Sequence, residues 1–204
     1  MTLTELTQQV YTITNRPDRI AETLSAIQSA TLKMHQSDFY WKDIFEAGYN
    51  AGSNAIAYEH DIDYRSIIPL FRAWKYIRKW SPDLTGQNPL GCPGKLLTLV
   101  EPMNVFDDYH AQKTDVYYGA GQYVHVKSST LDQYYILGCY INPNITSSLY
   151  SSWIAIDHPF AIIYEAAAMV FKAVGKDEEA TTYRTLNADQ IGILKQNNVT
   201  ALGF

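Results

Sequence analysis

DHPFAIIYEAAAMVFKAVGKDEE, residues Asp157 to Glu179, decides how this chain is read. Asp157-His158-Pro159 is a helix start, with proline in the first turn, where no amide hydrogen is needed. Phe160, Ile163, Tyr164, Ala167, Val170, Phe171 and Val174 then follow at steps that predict a helical stripe. Ala166-Ala167-Ala168 predicts close packing on a neighbouring helix. Gly175 is placed to end the helix in the left-handed conformation. Asp177-Glu178-Glu179 suits the positive end of a second helix, running from 177 to about 196 with Gly192 as a weak spot.

The other end of the chain is helical too. Residues 3–13 predict a short helix. Asn15-Arg16-Pro17-Asp18 reads as a capped start for a longer one over 17–35. Ile20, Leu24, Ile27, Thr31 and Met34 share its apolar face, and Ala21, Ala26 and Ala30 favour helix by propensity. Residues 47–54, with Gly48 and Gly52, read as a loop.

Between these ends, about residues 62–142, the texture is that of strands. Pro69 makes the Ile67–Phe71 run an edge or irregular position, and Trp74–Arg78 and Leu96–Val100 are strand candidates. Residues 81–95, with Pro82, Gly86, Pro89, Gly91, Pro93 and Gly94, read as a long loop. Gly119-Ala120-Gly121 predicts a tight turn between Val116–Tyr118 and Tyr123–Val126. Val124 and Val126 alternate with Tyr123, His125 and Lys127. After a polar Ser128–Asp132 turn, Tyr135, Leu137, Cys139 and Ile141 line one face of a returning strand. The fold class is therefore α+β. A helical bundle from residues 1–60 and 150–204 carries a β-rich insertion, 61–149.

Composition narrows the function. The 204 residues are 47% hydrophobic, enough for a real core, and the net charge of −5 argues against a dedicated nucleic-acid reader. The 16 tyrosines have two compatible explanations: contact surfaces that stay wet at the tip, or a Tyr-rich antiparallel sheet. Cys92 and Cys139 lack metal or redox spacing and read as free thiols in a reducing compartment. Met1-Thr-Leu-Thr-Glu-Leu has neither a basic region nor an apolar run, so no signal peptide is expected, and no stretch is long and apolar enough for a membrane span. Synthesis and folding in a host cytoplasm are expected.

The chemistry of sites is sparse. His35, His60, His110, His125 and His158 do not share a helix face at ligand spacing. His60, Asp61, Asp63, Asp107, Asp108 and His110 read as solvated loop groups, Gly119–Gly121 has no phosphate-loop continuation, and no nucleophile elbow is present. No enzyme activity, metal or cofactor is expected. Arg65, Arg72, Lys75, Arg78 and Lys79 are interleaved with Phe71, Trp74, Tyr76 and Trp80. That pattern fits a solvated strand face, a single-strand or phosphate contact, or a face for an acidic protein partner. Of these residues, Arg72, Lys75, Arg78 and Lys79 are the expected partner contact. Residues 197–204 read as an extended tail in which Val199, Leu202 and Phe204 are apolar anchors for a partner.

Thr14–Asp18, Ala30–His35 and Asp43–Glu46 resemble the opening of phage neck proteins. Lys113–Gly121 and Gly138–Pro143 resemble the β-rich insertion of the same group, and Trp153–Phe160, Ala166–Ala168 and Gly175–Ala180 its closing helix pair. The group is the head-to-tail adaptor, or tail accessory factor, family of tailed phages. The resemblance implies a virion structural protein in the neck, twelve copies forming a ring under the portal protein. Its other side receives the tail or nozzle protein, and DNA passes through the channel without sequence-specific binding. Tyr-rich faces would suit such a ring, in which each subunit buries two different patches. The alternative is a carbohydrate-binding or tail-fibre-associated β module with aromatic stacking platforms. Aromatic residues lining a concave pocket would favour it over flat intersubunit faces.

Overall fold

In the computed structural model the closing segment builds helix α5, Pro159–Ala173, the centre of the helical unit. The structure describes residues 1–50, 57–79, 95–106, 111–132 and 134–201. Ala161, Ile162, Ile163, Ala166, Ala167, Ala168 and Val170 are all buried, so α5 is surrounded and not merely amphipathic. Phe160, expected inside, is 49% exposed. Small alanines let the neighbours approach. These are α1 (Leu3–Thr14), α2 (Ile20–Gln36), α4 (Trp153–Asp157) and α6 (Asp177–Ala201). Gly175 ends α5 at φ +78°, with Lys176 N–H donating to Phe171 O and Gly175 N–H to Lys172 O.

Two details of the helix ends differ from expectation. Asn15 does not start α2. It closes α1 in the left-handed conformation (φ 52°), its N–H bonded to Tyr11 O. Pro17-Asp18 is a turn, and α2 begins at Ile20 without a side-chain cap. Ile20 is accordingly exposed, and the buried face of α2 runs through Thr23, Ala26, Ile27, Ala30, Thr31 and Met34. At the other end, α6 continues to Ala201, so residues 197–201 are helix and not an extended tail.

Residues 44–141 form a separate β unit, and 1–43 with 142–204 the helical one. The first boundary lies earlier than the expected 60/61 because two strands stand in aromatic, glycine-containing or charged text, and the second lies at 141/142, not 149/150. The two strands are β1, Ile44–Asn50, and β2, Ala57–Asp63. The run at 67–71, expected to be an edge or irregular position, holds the end of a short helix, α3 (Tyr64–Ile67), and a turn at Pro69. Then follow β3 (Phe71–Lys79), β4 (Thr98–Leu99), β5 (Val116–Ala120), β6 (Tyr123–Asp132) and β7 (Tyr134–Ile141). The long loop expected at 81–95 lies almost wholly outside the described residues.

The strands make two sheets, ordered β1-β7-β3 and β2-β6-β5-β4. One core joins them: Ala47, Ile77, Tyr135, Leu137 and Cys139 from the first, Ile62, Tyr117, Val124 and Val126 from the second. The β5–β6 hairpin turns at Gly121, whose φ of +62° suits the two-residue connection. The hairpin expected between 122–127 and 133–141 does not form. Ser128–Asp132 extends β6, and β7 crosses into the other sheet to pair with β1 and β3. Alternation fixes which face of a strand is inside and not which strand is its neighbour.

Among the described tyrosines, Tyr40, Tyr64, Tyr117, Tyr135 and Tyr140 are buried, Tyr58 and Tyr123 are largely exposed, and the others are half-buried. The expected Tyr-rich outer faces are met by Tyr123, while Tyr135 and Tyr140 on the returning strand are buried. Cys139 is a buried free thiol, pushed up to about 11 by that burial. Cys92 lies outside the described residues. No described helix is long and apolar enough to cross a membrane.

Candidate functional site

The densest polar arrangement in the helical unit begins at the 3-10 turn Trp41–Asp43. Asp43 Oδ1 accepts from Trp153 Nε1 at 2.7 Å and lies 2.8 Å from His35 Nδ1. His35 Nε2 is 2.9 Å from Ser152 Oγ. A consistent tautomer has Nδ1–H donating to Asp43 and Ser152 O–H donating to Nε2. His35 is separated from Asp43 by 8 positions and from Ser152 by 117, which is why no sequence pattern announced it.

The connectivity is that of a hydrolytic triad, where no nucleophile constellation was expected. Its surroundings suit another task. Ser152 is only 6% exposed, and its Oγ accepts from Ala155 N at 3.2 Å as the cap of α4. Asp43 divides its acceptor between His35 and the indole of Trp153. We read the group as a bracket holding α2, the 41–43 turn and α4 in register.

In front of the bracket is a cleft of about 300 Å³, lined by Trp41, Lys42, Trp153, Asp157, His158 and Asn197 among others. Lys42 Nζ lies 2.6 Å from Asp157 Oδ2, 5.5 Å from the centre of the Trp41 ring and 5.3 Å from that of Trp153. The end of α6 fastens the turn: Trp41 N–H donates to Asn198 Oδ1 at 3.1 Å, and Asn198 Nδ2 donates to Phe39 O at 3.2 Å. Asn198→Ala is expected to destabilise the unit by about 1–2 kcal/mol, read as a lower urea midpoint, because it removes both partners of a nearly buried backbone segment. An unchanged midpoint would show that the 39–41 backbone holds itself.

The four basic residues of β3 do not form one face. Bulges shift the pairing between Phe71 and Ala73 and between Trp74 and Tyr76. Arg78 meets Glu46 at 3.3 Å, and the exposed Lys75 lies over the Tyr140 ring. Lys79 turns inward and is 6% exposed, ion-paired with Asp115. Asp115 also meets Lys95 at 2.6 Å and accepts from the Ser129 amide at 2.9 Å. Burial pushes the Asp115 carboxyl up, but bonds from Lys79, Lys95 and Ser129 outweigh it and hold it well below the ordinary range. Lys79 is thus a structural ion, not an exposed partner contact.

Of the tail anchors, Val199 is 48% exposed on α6, while Leu202 and Phe204 lie outside the described residues. His60 and Asp61 are on β2, not in a loop. His60 is buried against the Tyr135 ring, and Asp61 lies 2.5 Å from His125 Nδ1. Asp63 accepts from the first amides of α3, and Asp107, Asp108 and His110 lie outside the described residues. Among the described residues no three His, Cys, Asp or Glu side chains gather as metal ligands. No protein-family model matches the chain, and no curated protein matches it.

Proposed function

We propose that this chain is a structural virion protein, a head-to-tail adaptor that forms a ring between portal and tail and lets DNA pass through its channel. The observation that carries the reading is architectural: both chain ends build one helical unit, and residues 44–141 form a β unit inserted between them. That is the organisation implied by the resemblance to phage neck proteins. The His35–Asp43–Ser152–Trp153 cluster works as a bracket between elements of the helical unit. Tyrosine gives the ring limited support, since five of the described tyrosines are buried and only Tyr58 and Tyr123 are largely exposed. Arg72, Lys75 and Arg78 remain the basic contact of the proposal, without Lys79, and Val199 remains an apolar one.

The alternative carbohydrate-binding β module has less support. The concave aromatic cleft lies in the helical unit, and the ammonium of Lys42 already lies against both of its tryptophan rings. The test is electron microscopy of the protein mixed with a portal ring. A ring whose neighbours touch through two different patches is expected. Assembly only as two-fold dimers overturns the reading. Reversing the charges of Arg72 and Lys75 should weaken docking more at low salt than at high salt. Equal loss at both would remove these residues from the contact.

A further inference from the structure

We propose that the Trp41–Trp153–Asp157 cleft is a cation site for the guanidinium of an arginine on a protein partner, held closed in the free subunit by the chain's own Lys42. Three observations converge. The two indole rings and the carboxylate already surround an ammonium: Lys42 Nζ is within 5.5 Å of both ring centres and 2.6 Å from Asp157 Oδ2. The Trp153 ring and the Trp41 backbone are fixed independently of that ammonium, while the Trp41 ring is itself 45% exposed. Trp153 is held by Asp43 and faces the rings of His35 and Tyr40, and the Trp41 backbone is tied to Asn198. The occupant, by contrast, is only loosely committed. The Lys42 side chain keeps 37% of its surface in water and is attached by a flexible stem.

The chemistry selects arginine. A planar guanidinium stacks on indole, is more weakly hydrated than an ammonium, and offers a carboxylate two parallel N–H donors. A cleft of about 300 Å³ takes one long side chain and not an extended oligosaccharide. Asp157 supplies the charge, Trp41 and Trp153 the ring faces, and Asn197 an amide at the rim. Exchange needs no movement of the bracket, because only Lys42 has to swing out. In the free protein Lys42 competes as an intramolecular ligand, so the site is weak until an arginine is presented at high local concentration by a docked partner.

The test uses the full chain and N-acetylarginine amide as the probe, followed by tryptophan fluorescence and by the indole N–H resonance of Trp153. Lys42→Ala removes the competitor and is expected to bind the probe about tenfold more tightly than the unaltered protein. Lys42→Ala with Asp157→Asn is expected to lose that gain. N-acetylnorleucine amide, which has no charge, is expected not to bind. Thermal melts confirm that both variants remain folded. Equal binding by Lys42→Ala and the unaltered protein, or equal binding of the norleucine probe, overturns the proposal. The result is independent of the adaptor reading, since neither the probe nor the readout involves a ring, a portal or a tail.

Discussion

Asp115→Ala is expected to destabilise the β unit by about 3 kcal/mol, because it removes the carboxylate that bonds the buried Lys79 ammonium, Lys95 and the Ser129 amide. Lys79 and Asp115 side chains are 8% and 10% exposed, so water cannot replace the lost partner cheaply. The same change frees the Ser129 amide. Asp115 also has a positive φ of 60°, which alanine tolerates less well than aspartate. The double variant Asp115→Ala, Lys79→Met is expected to recover much of the loss, since a hydrophobic replacement of a buried pair is often neutral. Urea denaturation followed by tryptophan fluorescence reads both. A single variant within 1 kcal/mol of the parent would mean that Lys79 reaches solvent.

The same pair sets an acid limit. The Asp115 carboxyl is held below its ordinary value of 3.8 in the folded state. A depressed carboxylate contributes stability that is fully present above the unfolded value and is lost as pH falls through the folded one. Unfolding of the β unit is therefore expected to become easier below about pH 4. Asp115→Asn should flatten that part of the profile, and an unaltered acid slope in this variant would assign it to other carboxylates.

Asp43→Ala is expected to cost the helical unit about 3 kcal/mol. It strips the acceptor from two donors, His35 Nδ1–H and Trp153 Nε1–H, each worth roughly 1–3 kcal/mol when left unpaired in the interior. Asp43→Asn keeps an acceptor oxygen and should recover part of the loss. Ser152→Ala should cost less, about 0.5–2 kcal/mol, through the cap of α4. A fluorophosphonate probe separates bracket from nucleophile. Ser152 is expected not to react, and covalent labelling that disappears in Ser152→Ala would make it an active serine.

Long periodic segments were legible before any coordinates. Helices expected at 3–13, 17–35 and after Pro159 are present, the second starting only at Ile20, as are the Gly121 turn and the inward face of Val124, Val126, Leu137 and Cys139. What failed was pairing and local exception. A strand such as Ala57–Asp63, with Glu59, Asp61 and Asp63 alternating outward, carries too much charge to look like a sheet until its partners are known: Lys127 faces Glu59, and His125 faces Asp61. Strict alternation already puts Arg72 and Arg78 on one face of β3 and Lys75 and Lys79 on the other, and the bulges shift that pattern again. The helical end of α6 carries Asn198, which bonds a turn some 157 positions away, a contact that no local pattern announces. The candidate cleft was least legible, since Trp41, Lys42, Trp153 and Asp157 converge only once both chain ends have met.

The inserted β unit also sets a timetable for synthesis. Lys33 on α2 finds its partner Glu165 on α5 only 132 positions later in the chain. At roughly 5–20 residues per second, α1 and α2 emerge from the ribosome on the order of ten seconds before the helix they pack on. During that wait Ile27 and Met34 have no cover from α5, and the early product offers chaperones an apolar surface. The β unit can finish first, because all its strands lie between Ile44 and Ile141. When β1 pairs with β7, Ile44 comes to rest opposite Tyr140, and the two cut ends of the helical unit are delivered side by side. The insertion then works as a clasp: its folding shortens the loop that α2 and α5 must close.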